Sequence, residues 1–346
     1  MTMLSSAPES GHSLAQSQPR WQQAMREAVR DPAQLLELLQ LPQELLPAAR
    51  RSAALFGLRV PRGYVARMRK GDVNDPLLRQ ILPLADEYAQ QPGFTQDAVG
   101  DLNSARDGGL LHKYHGRALL ITTGACAVHC RYCFRRHFPY SEINAGRGSW
   151  ENALTQIADD PSLSEIILSG GDPLSLNDAR LSELSRGLDQ IPHLQRLRIH
   201  TRTPIVLPER VDAALLEWLA RSRLQVVMVV HANHPQELDS YVASAAAQLA
   251  EAGVTLLNQS VLLRGVNDNA EVLTELSKRL FKLRIFPYYL HLLDKVQGAG
   301  HFDVPEKTAQ ILWQTMAESL PGYLLPKLAR EEAGAASKTL LGFANT

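Results

Sequence analysis

The feature that most restricts the fold is a sixfold alternation of short apolar runs and amphipathic helical patterns in the second part of the chain. The apolar runs, typical of buried strands, are 118–123, 165–169, 197–201, 224–231, 255–263 and 284–293. The helical patterns that follow them are 150–159, 178–188, 208–220, 235–252, 270–283 and 305–319. Six strand-then-helix units predict an α/β fold with a parallel sheet and right-handed crossovers. The pattern suits both an open doubly wound sheet and most of a barrel.

Polar residues follow the carboxyl ends of these predicted strands. They include His200, Thr201, Arg202, His231, Asn258, Gln259 and Asp294, together with the segment 169–172. In parallel α/β folds the active site forms at the carboxyl ends of the strands, because these ends meet at one edge of the sheet. The pattern therefore predicts an enzyme whose polar side chains face a common mouth.

The composition is that of an ordinary soluble protein. Hydrophobic residues make up 45% of the 346 residues, and charged residues make up 21%. Thirty-six basic residues balance thirty-six acidic ones, which argues against a large nonspecific grip on nucleic acid. No apolar run is long enough to span a bilayer, and the first residues lack the layout of a signal peptide. We therefore expect a cytoplasmic protein that binds neither nucleic acid nor membrane.

The chain is predicted to divide into four parts. They are a disordered tail (1–18), a helical amino-terminal extension (19–108), the α/β core (109–300) and a carboxyl-terminal helix with a further segment (301–346). Within the extension, helical spacing occurs at 25–29, 35–39 and 45–55. Proline residues break the pattern after Asp31 and Leu41.

The three cysteines, Cys126, Cys130 and Cys133, lie within eight residues directly after the first predicted strand. An odd, tightly clustered set is a poor disulfide framework, whereas crowded thiolates typically share a metal. Three thiolates leave one iron of a four-iron cluster without a protein ligand, and that iron can bind a small chelating molecule. A structural zinc ion with His129 or His137 as fourth ligand is the alternative. Zinc does not account for polar residues at six strand ends.

The C-x3-C-x2-C spacing after the first strand of a six-unit α/β domain resembles the radical S-adenosylmethionine (SAM) superfamily. The resemblance implies a partial (β/α)6 barrel with a helical amino-terminal extension, and a [4Fe–4S] cluster whose open iron binds SAM. Reductive cleavage of SAM there yields a radical, which requires a reductant protein such as flavodoxin or ferredoxin. The resemblance assigns the cluster to the three cysteines. The residues that it assigns to SAM are Gly170, Gly171, Asp172, His231 and Gln259.

Further segments narrow the resemblance to the lysine 2,3-aminomutase family. They are 133–136 (Cys-Phe-Arg-Arg), 169–172 (Ser-Gly-Gly-Asp), 201–204 (Thr-Arg-Thr-Pro), 231–235 and 258–268. The likeness implies an isomerase with pyridoxal 5′-phosphate (PLP) as a second cofactor. Such an enzyme moves the α-amino group of L-lysine to carbon 3, giving (R)-β-lysine. The cofactors supply the chemistry, while the protein positions them and excludes water.

The same resemblance assigns residues to PLP. Lys338 follows a Gly-Tyr-x-x-Pro segment at the family's spacing and is implied as the lysine that forms a Schiff base with PLP. Lys327 is the competing candidate, and an exposed lysine in a fraying tail is the structural alternative. The residues implied at PLP are Lys113, Tyr114, Arg117 and Arg202, with lysine at position 113 where the family has arginine.

The resemblance also implies a pocket for a diamino acid. Arg135, two positions after the third cysteine, is implied as the partner of the substrate's α-carboxylate. Asp294 and Glu331 are implied as partners of its far ammonium, although better-known members have aspartate where this chain has Glu331. A loop or cap acid is the alternative for Asp294. The same machinery acting on another amino acid is the alternative function, and two acids argue against glutamate.

The segment 21–79 resembles a shorter bacterial branch of the family, whose β-lysine is attached to elongation factor P by a ligase. The likeness implies a functional link to elongation factor P and that ligase. The carboxyl-terminal extension of lysine-fermenting members, with its metal and oligomer contacts, is expected to be absent. A cluster-binding protein without PLP chemistry is the rival from another class. The sequence makes no prediction of the oligomeric state.

Overall fold

A computed structural model describes residues 19–104, 106–140 and 150–342, so the predicted tail, residues 1–18, lies outside the described residues. The amino-terminal part consists of the short helices α1 (Arg20–Arg26), α2 (Pro32–Leu38), α3 (Leu46–Leu55), α4 (Arg62–Val65) and α5 (Pro76–Arg79). Asp31 and Asp75 begin α2 and α5 by accepting hydrogen bonds from amides of the first turn. The first helix lies earlier than its predicted span because Val29 instead pairs with Val60 in an isolated β-bridge.

A nine-stranded sheet forms the centre of the fold. Its strands are β1 (Leu110–Tyr114), β2 (Arg117–Thr123), β3 (Glu165–Gly170), β4 (Arg196–Thr201), β5 (Gln225–Val230), β6 (Thr255–Val261), β7 (Phe286–His291), β8 (Lys327–Arg330) and β9 (Thr339–Leu340). Strands β2 to β8 run parallel to their neighbours, whereas β1 and β9 are antiparallel edge strands. Neighbouring strands follow one another in sequence, which is the order of a barrel and not of a doubly wound sheet. Since the edge strands do not pair within the described residues, the predicted partial barrel is confirmed.

Six helices connect consecutive parallel strands from the outside. They are α6 (Glu151–Ala158), α7 (Asp178–Asp189), α9 (Ala213–Arg221), α10 (Ser240–Glu251), α11 (Ala270–Lys282) and α12 (Glu306–Ser319), and the single-turn α8 (Thr203–Val206) follows β4 directly. Each coincides with one of the six predicted units. Side-chain caps begin four of them, at Asn177, Asp212, Asp239 and Asn269. Within the described residues, no helix has the length and apolar content needed to cross a membrane.

The seventh parallel strand, β8, was not predicted. It is four residues long, with a charged residue at each end, so the sequence shows no alternation that would reveal it. Its two central residues, Leu328 and Ala329, are buried beside β7. This strand matters for the site because it returns the chain to the barrel immediately before the segment that carries Lys338.

The main core lies between the sheet and the outer helices. Leu197 and Ile199 of β4 pack there with Leu181 and Leu184 of α7 and with Leu215 of α9, all at most 1% exposed. Burying one such side chain stabilises the fold by roughly 1.5–3 kcal/mol relative to leaving it exposed. Because side chains alternate along a strand, the intervening residues of β4 point into the interior of the barrel.

The amino-terminal helices pack against the cysteine loop, which comprises residues 124–133. Leu35, Leu36 and Tyr64 are fully buried in a second core that includes Ala127 and Val128 of this loop. The extension therefore supports the loop from outside the barrel.

Candidate active site

The interior of the barrel is a cavity of about 580 Å³. Side chains at alternate strand positions line it, among them Leu119 of β2, Ser169 of β3, His200 of β4 and His291 of β7. Every residue that the sequence analysis assigned to the cluster, SAM, PLP or the substrate also lines this cavity. A concave site with a few convergent polar groups is where small ligands usually bind, so the cavity is the candidate active site.

The three cysteines of the cysteine loop face the cavity together. The amide of Cys133 donates a hydrogen bond to the carbonyl of Cys130 (3.0 Å), which closes a tight turn between them. Burial raises the pKa of the Cys133 thiol to about 11 and that of Cys126 well above its usual range. Without a metal, the thiols of Cys126 and Cys133 would stay protonated at neutral pH, whereas a coordinating metal deprotonates its thiol ligands. The site thus fits a strongly cationic group bound by thiolates, such as an iron–sulfur cluster.

The geometry argues against a single zinc ion at these cysteines. His129 Nδ1 lies 2.8 Å from the carbonyl oxygen of Gly57, and its ring stacks on Phe56. His137 Nε2 lies 3.1 Å from the carbonyl oxygen of Gln297. Throughout the described part of the chain, no three or more His, Cys, Asp and Glu side chains are close enough to hold one metal ion. A four-iron cluster, in contrast, takes its thiolates on separate irons.

A buried network of ion pairs ties the cysteine loop to the amino-terminal extension. Arg131, fully buried between two of the cysteines, pairs with Glu87 through Nε (2.8 Å) and Nη2. Arg136 donates to the same carboxylate and to the carbonyl oxygens of Arg131 and Gly298. Breaking a buried pair of this kind typically costs about 3–5 kcal/mol. Glu87, which the sequence analysis did not identify, therefore holds two cations beside the loop.

Gly170 and Gly171 bring the end of β3 against the cysteine loop. A Cβ on Gly170 would lie 2.6 Å from the carbonyl oxygen of Thr123, and one on Gly171 would lie 2.4 Å from that of Ala125. The Gly171 amide donates to Thr123 (2.7 Å), and the amide of Asp172 donates to Ala125 (2.8 Å). Only glycine fits at these two positions, so their evident role is close backbone packing. Their contact with SAM stays a prediction.

The carboxylate of Asp172 is occupied by four donors of the protein itself. It accepts hydrogen bonds from the Thr201 hydroxyl (2.6 Å) and from the amides of Leu174 (3.0 Å), Arg202 (2.8 Å) and Thr203 (3.0 Å). These bonds join the end of β3 to the turn after β4. The arrangement favours a positioning role, because a ligand ammonium would have to compete with four existing donors.

Three histidines present neutral rings to the cavity. Burial lowers the pKa of His231 to about 3, and it also lowers the pKa values of His200 and His291. Among the described residues, Nε2 of His231 and Nε2 of His200 are buried without a hydrogen-bond partner. Buried polar atoms of native proteins almost always have a partner, so a bound ligand is expected to supply it. Gln259 adds a polar side chain to the same cavity, which fits the predicted SAM site.

Arg202 lies beside the cysteine loop, away from the groups around Lys338. Its Nη1 is 2.8 Å from Cys130 Sγ, and its Nη2 donates to Glu237 (2.9 Å) and Gln80 (2.7 Å). The family resemblance implies a contact between Arg202 and PLP. Within the described residues, the hydrogen bonds of its guanidinium join it to Cys130, to Glu237, and to Gln80 and Tyr64 of the amino-terminal extension, and its contact with PLP stays a prediction.

Lys338 lies in the cavity, beside Glu331 and the ring of Tyr289. Its ammonium pairs with the carboxylate of Glu331 and lies 5.8 Å from the centre of the Tyr289 ring. The hydroxyl of Tyr114 donates to the same carboxylate (2.5 Å). Lys327, in contrast, is exposed on β8 and is not among the residues that line the cavity. The geometry favours Lys338 over Lys327 as the lysine available to a bound cofactor.

Cations suited to a phosphate group come from β1 and β2. Arg117 lies 4.8 Å above the ring of Tyr114, and no carboxylate of the described chain pairs with it. Lys113 is held by Asp101 and by the carbonyl oxygen of Val99 (2.7 Å). A planar guanidinium with free donors beside an ammonium makes a donor set that fits a dianionic phosphate, whereas the Tyr114 hydroxyl already donates to Glu331.

Asp101 pairs with both Lys113, which is implied at the phosphate of PLP, and Arg135, which is implied at the carboxylate of the substrate. No sequence pattern indicated this residue. Arg135 donates from Nε to Asp101 (2.7 Å) and from Nη1 to the Ser169 hydroxyl (3.0 Å). Burial opposes ionisation of Asp101, but Arg135 and Lys113 outweigh it and lower its pKa. Nη2 of Arg135 makes no hydrogen bond to the described residues, which leaves one edge of the guanidinium for an anion. A lone acid in a loop without a motif gave no signal in the sequence.

Asp294 follows β7 and offers an unused carboxylate. No donor within the described residues lies within hydrogen-bond distance of it, and burial raises its pKa to about 7 even though the nearby Lys338 ammonium opposes this shift. Glu331 behaves differently, since Lys338 overcomes the effect of burial and lowers its pKa. A half-buried acid that lacks a partner is expected where a cationic ligand binds, so Asp294 is a suitable receptor for an ammonium group.

Several known proteins are similar to this chain over most of its length. Residues 115–197 match a family model described as a 4Fe-4S single cluster domain. A protein of Escherichia coli (strain K12) described as L-lysine 2,3-aminomutase is 51% identical over 326 residues, which cover 94% of this chain and 95% of that protein. A protein of Haemophilus influenzae with the same description is 47% identical, covering 94% and 97%. One of Clostridium subterminale, again so described, is 32% identical, covering 92% and 76%.

Proposed function

This chain belongs to the lysine 2,3-aminomutase family, and we propose that it converts L-lysine to (R)-β-lysine by moving the α-amino group to carbon 3. One observation carries the proposal. A single cavity contains a free guanidinium edge at Arg135, an unpartnered acid at Asp294, and a lysine, Lys338, that is held by a second acid, Glu331. These groups are complementary to the carboxylate and the far ammonium of a diamino acid. A lone acid or a lone arginine would not distinguish lysine from other amino acids.

The chemistry comes from groups that this cavity fits. When bound, the iron–sulfur cluster with SAM supplies a carbon radical, and PLP carries the amino group of the substrate. We propose that Cys126, Cys130 and Cys133 hold the cluster, and that Lys338 attaches PLP covalently. The neutral rings of His200, His231 and His291 add polar contacts without adding charge to the cavity.

The protein's own residues orient the substrate. Arg135 binds its α-carboxylate through the free Nη2 edge, since Asp101 and Ser169 already hold the other side of the guanidinium. Asp294 and Glu331 accept hydrogen bonds from its far ammonium, which replaces Lys338 as the cation beside Glu331. Two fixed ends hold the intervening carbons in one position, and such positioning can contribute several kcal/mol to rate enhancement.

We further propose a place for the enzyme in the cell. The β-lysine serves the modification of elongation factor P by its ligase, a reductant protein such as flavodoxin or ferredoxin supplies the electron, and the reaction takes place in the cytoplasm. The resemblance of segment 21–79 to the branch with this role supports the link. Deleting the gene should remove β-lysine from elongation factor P in the cell, as measured by mass spectrometry of the purified factor. If the modification were unchanged, the proposed link to elongation factor P would be wrong, while the proposed reaction would still stand.

The reaction is tested with purified protein under anaerobic conditions. The protein is supplied with iron, sulfide, PLP, SAM and a reductant, and then separately with L-lysine, L-arginine and L-glutamate. We expect a β-amino acid from L-lysine only. Formation of 5′-deoxyadenosine without β-lysine would support the assignment of the cluster and SAM and contradict the assignment of L-lysine as the substrate. A β-amino acid from glutamate would support the alternative that the same machinery acts on another amino acid.

Replacing Asp294 by asparagine should lower kcat/KM for L-lysine by about 10–100-fold, because a charge-assisted hydrogen bond contributes about 1.5–3 kcal/mol. Since the pKa of Asp294 is raised to about 7 by burial, with Lys338, Glu331, Asp101 and Lys113 as the charged groups around it, kcat/KM of the unmodified enzyme should rise from pH 6 to pH 8 as the carboxyl ionises. The pH profile of Asp294→Asn should lack this rise.

Glu332→Gln is the matched control for Asp294→Asn. Glu332 is exposed, bonds to Thr339 and does not line the cavity. Its substitution should change kcat/KM by less than about twofold, as expected of a surface position. If both variants retained full kcat/KM at pH 8, Asp294 would be an ordinary loop acid and the diamino-acid pocket would be wrong.

Replacing Asp101 by asparagine should raise KM for L-lysine by about tenfold or more and weaken PLP binding. The substitution leaves Arg135 and Lys113 without the charge that orients both of them. Iron content should remain equal to that of the unmodified protein, and Asp101→Glu should recover part of the affinity. A loss of iron with unchanged KM would instead assign Asp101 to support of the cysteine loop.

A further inference from the structure

One buried contact connects the turn after β4 to a proposed cluster ligand. Nη1 of Arg202 lies 2.8 Å from Sγ of Cys130, and the arginine is 6% exposed. A hydrogen bond from a cation to a thiolate is stronger than one between neutral groups. None of the proposed steps of the reaction uses this contact.

The orientation of Arg202 is fixed from the side away from the sulfur. Its Nη2 donates to Glu237 (2.9 Å), to the side-chain oxygen of Gln80 (2.7 Å) and to the hydroxyl of Tyr64 (3.1 Å). Glu237, fully buried, also accepts a hydrogen bond from the amide of Asn233 (2.8 Å). The guanidinium therefore bridges the amino-terminal extension and the cysteine loop, and it cannot turn away from the sulfur without breaking several bonds.

The charges are arranged along one direction. Glu237 pairs with Nη2, whereas Nη1 points at Cys130, so the positive end of the ion pair faces the sulfur. Reduction adds one electron and therefore one negative charge to a cluster. A fixed positive group at a ligand sulfur favours the reduced state, and hydrogen bonds to sulfur ligands are among the factors that set cluster potentials. Burial reduces screening of this effect by solvent.

We propose that Arg202 is a positioning residue that raises the reduction potential of the cluster held by Cys126, Cys130 and Cys133. This inference rests on the proposed function, because it requires the cluster. The step concerned is transfer of one electron from a reductant protein to the oxidised cluster, and no covalent bond is made or broken in it. Gln80 and Tyr64 of the amino-terminal extension help to hold the guanidinium in place, and without the Tyr64 hydroxyl it would still be held by Gln80 and Glu237.

The test compares the midpoint potential of the cluster in the reconstituted unmodified protein with that in variants. Electron paramagnetic resonance measures the reduced cluster during a reductive titration. Arg202→Lys keeps the charge but cannot reach both Cys130 and Glu237. We expect about a tenfold fall in the ratio of reduced to oxidised cluster at a fixed poise, which corresponds to about 59 mV toward more negative potential. Tyr64→Phe is the matched control, because it removes one hydrogen bond of Nη2 and leaves the bond to Cys130 intact.

A second variant guards against misfolding of the first. Arg202→Met combined with Glu237→Gln removes both charges, so that neither remains buried without a partner, and the same negative shift is expected. Equal potentials in unmodified protein and in either loaded variant would overturn the proposal. A shift of equal size in Tyr64→Phe would overturn it too, and so would loss of iron from all three variants, since both results assign Arg202 a purely structural role. Failure of the unmodified protein to bind a reducible cluster would instead refute the proposed function.

Discussion

Replacing Lys338 by alanine is expected to abolish covalent attachment of PLP and to lower turnover by about 10³-fold or more, as is common when a covalent catalytic group is removed. Lys338 and Lys113 are the lysines that line the cavity, and Lys113 is held by Asp101. Lys338 alone of the two lies beside a carboxylate assigned to the substrate. Reduction of the PLP-loaded protein with borohydride followed by peptide mass spectrometry measures the attachment.

Lys327→Ala is the control for this prediction. Lys327 is exposed on β8 and is not among the residues that line the cavity, so its substitution should leave both attachment and turnover unchanged. A modified peptide that contains Lys327 would contradict the assignment of Lys338, which was based on its spacing from the Gly-Tyr-x-x-Pro segment. Absence of PLP from the unmodified protein, together with an intact cluster, would favour a cluster-binding protein without PLP chemistry.

Replacing any one of Cys126, Cys130 and Cys133 by alanine is expected to remove the cluster and turnover together. The three thiols lie on one short loop, and burial raises the pKa values of Cys126 and Cys133, so that these two thiols stay neutral unless a metal binds. Two remaining thiolates leave a second iron without a protein ligand, which exposes the cluster to loss. Iron and sulfide content, together with the absorbance of the reconstituted protein, measure the effect.

His137→Gln is the control for the cysteine variants. His137 is exposed and lies 3.1 Å from a carbonyl oxygen, so its loss should leave iron content and turnover near those of the unmodified protein. Loss of metal in this variant would favour the zinc alternative with His137 as fourth ligand. Full turnover by any of the three cysteine variants would reject the cluster assignment.

The sequence predicted those parts of the site that depend on local spacing. The three cysteines, the glycine pair at the end of β3 and the acid after β7 each follow a strand that shows a clear apolar pattern. Because the carboxyl ends of parallel strands share one edge, these residues were expected to meet, and they do line one cavity. The choice between a barrel and an open sheet was not available from periodicity, since strand order depends on pairing between distant segments.

The supporting residues could not be predicted, because their partners are distant in the sequence. Arg135 and Asp101 are 34 residues apart, Arg131 and Glu87 are 44 apart, and Arg202 and Cys130 are 72 apart. No periodicity links such pairs. Arg202 shows the consequence most clearly. Its family segment suggested a cofactor phosphate, whereas the turn after β4 directs its guanidinium toward a cysteine sulfur.

Asp172 and β8 show two further limits. A glycine pair followed by an acid suggests a ligand contact, which stays a prediction for Asp172, and the sequence did not indicate that four protein donors already bond to its carboxylate. Only the three-dimensional structure shows that a carboxylate already accepts several hydrogen bonds from the protein. Strand β8 is too short to produce an alternating pattern, yet it brings Lys338 back to the barrel.

The most direct test of the proposed function is the fate of nitrogen in L-lysine labelled with ¹⁵N at the α-amino group. The protein is reconstituted anaerobically with iron, sulfide and PLP, then given SAM and a reductant, and the product is analysed by nuclear magnetic resonance. We expect β-lysine with the label on the nitrogen of carbon 3. Unchanged lysine with the label still on carbon 2, from protein that carries a reducible cluster and bound PLP, would contradict it.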